Sequence, residues 1–433
     1  MAKKIGFWEA FSIGVGGMVG GGIFAVLGLT IDLAKGAAPV AFLIAGLIAL
    51  VTSYSYVKLS IAYPSEGGSI EYIVQAFGNN MFSTIANNLL LVSYVIMLSL
   101  YAYAFGSYAS VLFFGKELVW FHKLAASSVI VLFVVINLFG AFLTGKAEDL
   151  MVFLKVAILI IFVVVGFFSA DFHRLSPQYW ESTIKIITGG LIIFLAYEGF
   201  ELIANTAKDV VNPQKTLPKA FYASVLFVIT LYVTIAIVTI GNVSFEEAKK
   251  AQDYVLAIAT EPIFGKTGFV VISIAALLST ASAINATLYG GGRVGYLVAK
   301  LGELPSEFAK KIKEGYEGMI ILGLLAIIFA TSFNIENISV AGSLGFLLIF
   351  SLVNLSSFKL RKKINANAFI SLLGFLLCIS ASVILVYYNL VHSPQSLQSS
   401  MLVIVIVTLF SIVYYKLGKK MQKILDEDLR KAN

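Results

Sequence analysis

Charge is what this chain has least of. Only 13% of its 433 residues are Asp, Glu, Lys or Arg, and 59% are hydrophobic. A soluble domain carries about 25% charged residues because its surface must meet water. This composition cannot cover itself with polar groups, so lipid is the expected solvent and a soluble enzyme is excluded. Cysteine is nearly absent. Cys378 alone, inside an apolar run, leaves no disulfide framework and no thiolate metal site. The three histidines, His122, His173 and His392, lack metal-ligand spacing, and each is expected at an interface or in a loop. The net charge is +7, yet no basic cluster with interleaved aromatics occurs, so nucleic acid is not an expected partner. No Gly-x4-Gly-Lys-Ser/Thr phosphate loop and no other cofactor motif is found.

What is abundant is long apolar runs. Stretches of about 20 residues, enough to cross a bilayer, fall near 8–30, 38–60, 84–112, 124–143, 149–170 and 184–205. Six more fall near 218–241, 266–299, 317–332, 337–357, 366–388 and 399–417. The expected fold is an all-α membrane protein of about twelve transmembrane helices. The opening Met-Ala-Lys-Lys and its apolar run resemble a signal peptide. The run continues to about Thr30 without a cleavage site, so it reads as a retained first helix. Of the 31 Lys and Arg residues, 22 fall on one set of connections and tails, among them Lys3, Lys4, Lys58, Lys146 and Arg361. Eight fall on the other set, and Lys155 lies within a span. The positive-inside rule then puts both termini in the cytoplasm of a multi-pass protein, expected in a prokaryotic inner membrane. Between spans seven and eight, Ser244 and Glu247 have capping-box spacing, which predicts a short surface helix. The charged connection 300–316 is expected to be helical in part.

Two spans break the bilayer's rules. The first holds six glycines between Gly14 and Gly22. Each costs about 1 kcal/mol in a helix relative to alanine, so the helix is expected to open there. Open backbone at membrane depth is tolerated only where protein buries it or it lines a cavity. Close helix packing through the Gly16/Gly20 and Gly17/Gly21 spacings is the other reading. The sixth span holds Glu198, Gly199 and Glu201 where leucines would be ordinary. Carboxylates inside a membrane are costly and mark functional sites. The two spans are five helices apart and so run in opposite directions. That fits an inverted repeat with interrupted first members, common among secondary transporters. Free N–H groups at a half-helix start favour a carboxylate, and free carbonyls favour an ammonium group. Such a site suits a zwitterionic amino acid.

The residues carrying these features resemble the amino acid–polyamine–organocation superfamily, specifically its prokaryotic amino-acid permeases. Gly16-Gly-Met-Val-Gly-Gly-Gly-Ile-Phe24 resembles the family's first-helix motif, and Tyr63 to Tyr72 resembles the loop after helix two. Ala196 to Glu201, continued through Asn212 to Pro218, is similar to the sixth-helix signature and the following loop. Ser282 to Gly291 and Gly302 to Pro305 resemble the end of helix eight and its exit. Together these motifs cover about the first 305 residues in order.

The resemblance implies the leucine-transporter-type fold. A first inverted repeat would run over 1–170 and a second over 184–357. Two further helices would occupy 366–417, and a cytoplasmic tail 418–433. It implies that backbone N–H groups around Val19, Gly20, Gly21 and Gly22 hold a substrate carboxylate. Carbonyls near Ser12, Ile13, Ala196 and Tyr197 would meet the ammonium group. It also implies proton coupling through Lys155, with a first-helix carbonyl and Ser279 or Ser282 as partners. A desolvated lysine can release its proton; a lysine snorkelling to the headgroups is the alternative. Glu201 resembles a common family acid, with a gating or proton-sensing role. Glu198 fits either a cationic substrate contact or a polar packing network. Tyr94, Tyr101 and Tyr108, seven residues apart, fit core packing, with a pocket wall as the other reading. The function expected is proton-coupled symport of amino acids by alternating access. The alternatives are an exchanger of amino acids or polyamines and a nontransporting sensor. A membrane enzyme or channel has no supporting motif. The expected partners are an amino acid or related amine, protons and the lipid bilayer.

Overall fold

Large apolar side chains lie on the outside of this protein and small polar ones within. Phe153, Ile161, Val131, Leu324, Leu376, Val383 and Leu409 are exposed, whereas Thr30, Ser53, Ser99, Ser279, Thr280 and Ser343 are buried. That is the arrangement of a chain whose outer surface meets lipid, with close helix contacts made by small residues. The computed structural model describes residues 5–139, 145–313 and 315–432, and the side chains of all these except 145–149 and 418–432. Lys3, Lys4, Lys146, the tail's basic residues and the expected end of the fourth span near 143 lie outside this description.

The helices are, in order, α1 Phe7–Met18, α2 Gly22–Ala34, α3 Ala38–Ala62, α4 Ser69–Phe77, α5 Met81–Phe114 and α6 Val119–Leu138. Next come α7 Gly145–Gly166, α8 Thr183–Ile193, α9 Glu201–Ala204, α10 Pro213–Asn242, α11 Phe245–Ala251 and α12 Val255–Ile258. The remainder are α13 Glu261–Lys300, α14 Glu317–Ser332, α15 Ile335–Ile364, α16 Ala368–His392 and α17 Pro394–Ala432. Among the described residues nine helical segments are long and apolar enough to cross a membrane. The bent pair α1/α2 adds a tenth, and two shorter apolar helices, Leu150–Gly166 and Glu317–Ser332, lie where two more spans were expected.

Several details depart from the sequence reading. The seventh span begins at Pro213 rather than near 218, because proline's missing N–H costs nothing in a helix's first turn. The connection 300–316 forms a 3-10 turn, Ser306–Ala309, and a two-residue hairpin pairing Lys311 with Tyr316. Helix α4 was not foreseen. Its apolar residues Ile70 and Ile73 are buried, and it packs against α15. The surface helix after Ser244 is present as α11. The Ser244 hydroxyl accepts from Glu247 N at 3.2 Å, and Ser244 N donates to Glu247 Oε2 at 3.0 Å. The segment 418–432, expected as a tail, continues α17 as helix.

Candidate functional site

The glycine cluster opens the first span. Helix α1 stops at Met18, α2 starts at Gly22, and the two axes are bent by 46°. The N-terminus of α2 is buried, and its cap residue, Gly21, supplies no side-chain acceptor. A helix start leaves N–H groups without intrahelical partners, and at membrane depth no water replaces them. The same turn frees carbonyls, which side chains from three other helices meet. Lys155 Nζ on α7 donates to Gly16 O at 3.0 Å. Tyr232 on α10 donates to Met18 O at 2.5 Å. The Ser279 hydroxyl on α13 lies 3.0 Å from Val19 O and 2.5 Å from Gly20 O, its one hydrogen serving both.

The glycines also allow close packing, though the members of the Gly16/Gly20 and Gly17/Gly21 pairs meet different helices. A Cβ on Gly17 would lie 2.8 Å from Gly199 O, and one on Gly22 would lie 2.7 Å from the Ala196 Cβ. A Cβ on Gly199 would fall 2.1 Å from the Gly17 carbonyl carbon. The first and sixth spans thus cross backbone to backbone, a contact open only to residues without side chains.

The sixth span does not unwind. Between α8 and α9, residues Phe194–Phe200 tighten into a 3-10 helix and stay buried. With one glycine in this stretch the backbone keeps its own i→i+3 hydrogen bonds. What the span offers is side chains. Glu198 lines a narrow cavity with Gly16, Gly17, Tyr94, Tyr101, Leu202 and Ser282. The cavity measures about 10 Å³, room for a water molecule and not for an amino acid, so this state is closed around it. Tyr101 joins cavity and break, since a Cβ on Gly21 would lie 2.3 Å from its ring.

Glu201, one turn on, is not among the residues lining the cavity. Its Oε1 accepts from the Ser69 hydroxyl at 3.1 Å, and Ser69 lies 2.5 Å from the Tyr56 hydroxyl. The loop motif after helix two therefore docks on the sixth span.

The remaining residues singled out in the sequence fall as follows. Lys155 is 3% exposed and directed at the first-span backbone, not at the headgroups. Ser282 lines the cavity, whereas Ser279 is turned to the Val19 and Gly20 carbonyls. The Tyr197 hydroxyl donates to Phe42 O at 3.0 Å, so its side chain anchors α3. The Val19 N–H is taken by Val15 O at 2.7 Å, which removes it from the free donors at the break. Ser12 and Ile13 sit lower on α1, among residues that do not line the cavity. Of the tyrosine series, Tyr94 and Tyr101 are pocket wall, and Tyr108 is core, edge-on to Phe24. His173 and His392 are exposed, and His122, near the start of α6, is buried. Sequence reasoning missed Tyr232, a lone tyrosine in an apolar run with no local signal.

A broken span crossing a 3-10 span around a small closed cavity, inside a lipid-facing bundle, defines a membrane transport protein. The chain belongs to the amino acid permease family, whose model matches residues 5–411. It is similar to an uncharacterized protein of Methanocaldococcus jannaschii, 34% identical over 96% of this chain and 97% of that one. The inner membrane transport protein YbaT of Escherichia coli is 32% identical over 89% of this chain and 90% of its own. The fold is shared with a solved manganese transporter of Eremococcus coleocola, in a mutant form, at TM-score 0.62. That match has 11% identity and covers 95% of this chain and 94% of that one.

Proposed function

We propose that this protein is a secondary permease for amino acids, driven by protons and working by alternating access between its two inverted repeats, 1–170 and 184–357. The observation that carries the reading is the buried, uncapped start of α2 packed on the Tyr101 ring, whose other neighbours include Glu198, Gly16 and Gly17 around the cavity. The N–H groups of Gly20, Gly21 and Gly22 would receive the substrate carboxylate. The Ala196 carbonyl, with the backbone of Ser12, Ile13 and Tyr197 below and beside it, would meet the ammonium group. Lys155 is the proton-coupling residue in this scheme. Its ammonium holds Gly16 O, so losing the proton weakens a tie between α7 and the broken span, coupling charge to the shape of the site. Ser279 and Ser282 flank the same break, and Glu201 fastens the 63–69 loop to the sixth span. Both termini lie in the cytoplasm in this scheme, and the reaction is movement of solute, not catalysis.

Exchange of amino acids or related amines is the second reading, favoured by one observation. The Glu198 carboxylate faces the cavity, where a cationic group would neutralise it.

Uptake of a labelled amino-acid panel into proteoliposomes, with and without an inward proton gradient, tests both. Gradient-driven uptake that falls to the empty-vesicle level in Lys155→Ala is the expected outcome. Uptake only against a preloaded counter-substrate replaces symport by exchange. No uptake of any amino acid or amine overturns the permease reading.

A further inference from the structure

A second cluster of ionisable groups lies away from the break, where α2 and α5 end and α6 begins. Ser107 on α5 stands between two carboxylates. Its hydroxyl oxygen is 3.1 Å from Asp253 Oδ2 and 3.2 Å from Glu117 Oε1. Glu117, in the turn between α5 and α6, also lies 2.7 Å from His122 Nδ1. Asp253 is 6% exposed, and its other oxygen, Oδ1, is buried without a partner. Gly106 admits the histidine, since a Cβ there would lie 2.3 Å from the His122 ring. Among the described residues no group of three or more His, Cys, Asp or Glu is arranged to hold a metal ion.

The arrangement contains a proton count. A serine hydroxyl donates once, yet it contacts two carboxylates. With both ionised, one carboxylate receives the hydrogen and the other faces an oxygen lone pair beside a like charge. One more proton, on Asp253, completes the chain: Asp253 donates to Ser107, and Ser107 and His122 both donate to Glu117.

Asp253 sits in the short 3-10 turn Gln252–Tyr254, between α11 and α12, and that turn rests on the second half of the broken span. A Cβ on Gly28 of α2 would fall 2.2 Å from Gln252 O. We propose that Asp253, Ser107, Glu117 and His122 form a proton-operated latch. A proton shared between Asp253 and Ser107 fastens the 252–254 turn over α2, and its loss releases the turn. This latch stands whether or not Lys155 couples transport.

The electrostatics agree. Asp253 lies outside the membrane-spanning helices, and burial, then the Glu117 charge, pushes its carboxyl up to about 8. Glu117 is held below the usual carboxylate range, chiefly by its hydrogen bond with His122. The other groups near Asp253 are Tyr103 and Tyr108 on α5 and its neighbour Tyr254. On α2, Asp32 is engaged with Lys35 at 3.0 Å and Lys249 at 3.9 Å. In a released turn Asp253 returns to its ordinary value, 3.8. Fastening is therefore complete below that value, weakens as pH rises, and is lost through about 8. Within that window each pH unit changes the ratio of released to fastened molecules by up to about tenfold.

The test is pulsed electron-spin distance measurement in lipid nanodiscs without substrate, with labels on Lys116→Cys and Lys250→Cys. The expected result is a longer-distance population that is smallest at about pH 5, grows as pH rises and levels off above about 8. Asp253→Asn, a neutral side chain of the same shape that still donates to Ser107, should keep that population small throughout. Glu117→Gln, which removes the like charge that disfavours an ionised Asp253 in the fastened turn, should shrink the released population at about pH 9. A wild-type distribution unchanged up to about pH 9 overturns the proposal. So does a transition that Asp253→Asn retains, or a released population at about pH 9 that Glu117→Gln leaves undiminished.

Discussion

The first and sixth spans occupy matching places, yet they are interrupted in different ways. The first loses its helix. Six glycines let the chain part at Met18 and restart at Gly22, and the freed carbonyls are met by Lys155, Tyr232 and Ser279 from three other helices. The sixth keeps its helix by tightening it, and its polar contribution is two carboxylates, Glu198 lining the cavity and Glu201 bonded to Ser69. One span supplies backbone, held open by its neighbours, and the other supplies charge on a frame that stays helical. An unmet backbone group in lipid costs several kcal/mol. A span can therefore open only where side chains arrive to meet it. The sixth span has such partners in Ser343, on Ile192 O and Leu195 N, and Tyr232, on Ala196 O, but lacks the run of glycines.

The comparison breaks most severely at the crossing point. Gly199→Ala places a methyl group 2.1 Å from the Gly17 carbonyl carbon, with backbone on the far side that cannot move aside. Overpacking of this kind costs about 3 kcal/mol. The expected outcome is a large drop in melting temperature in detergent together with loss of uptake. An unchanged melting curve would mean that the spans do not meet there.

A smaller effect tests whether the break depends on its escort. Ser279→Ala leaves the Val19 and Gly20 carbonyls without their donor, at a cost of about 2 kcal/mol. The loss should appear in thermal unfolding and as faster amide exchange over residues 17–23. Equal protection in mutant and wild type would show the open turn to be stable by itself.

The smallest effect on stability belongs to the sixth span's charge. Glu198→Gln preserves shape at a side chain facing the cavity, so the melting temperature should hold within the shift expected of about 0.5 kcal/mol. The order of preference among neutral, acidic and cationic substrates should change, read by competition in the uptake assay. A large loss of stability with unaltered preference would place Glu198 in a packing network.

Legibility followed the distance between cause and effect along the chain. The break in the first span was readable because its cause, a run of glycines, is local. The capping box at Ser244 and Glu247 was readable for the same reason. The sixth span misled in part: its carboxylates marked the site, but whether the backbone opens or tightens depends on what packs against it. The tyrosine series shows the same limit. A seven-residue spacing puts Tyr94, Tyr101 and Tyr108 on one helix face, yet only packing decided that two wall the cavity and the third fills the core. His122 lies near the start of α6, and its burial beside Glu117 was not legible in the sequence. Nothing within α6 announces that Asp253, 131 residues later in the sequence, comes to the same serine.

By itself the sequence determined the solvent, the class of fold and the place of the interruptions. Apolar length, glycine density and an intramembrane carboxylate act through the energetics of single segments in lipid. Only the tertiary structure decided which carbonyls Lys155, Tyr232 and Ser279 meet, that Glu198 faces the cavity while Glu201 faces Ser69, and that Asp253 shares a hydroxyl with Glu117. Those outcomes depend on angstrom-scale distances between helices far apart in the chain, and a hydrogen bond exists or fails within less than an ångström.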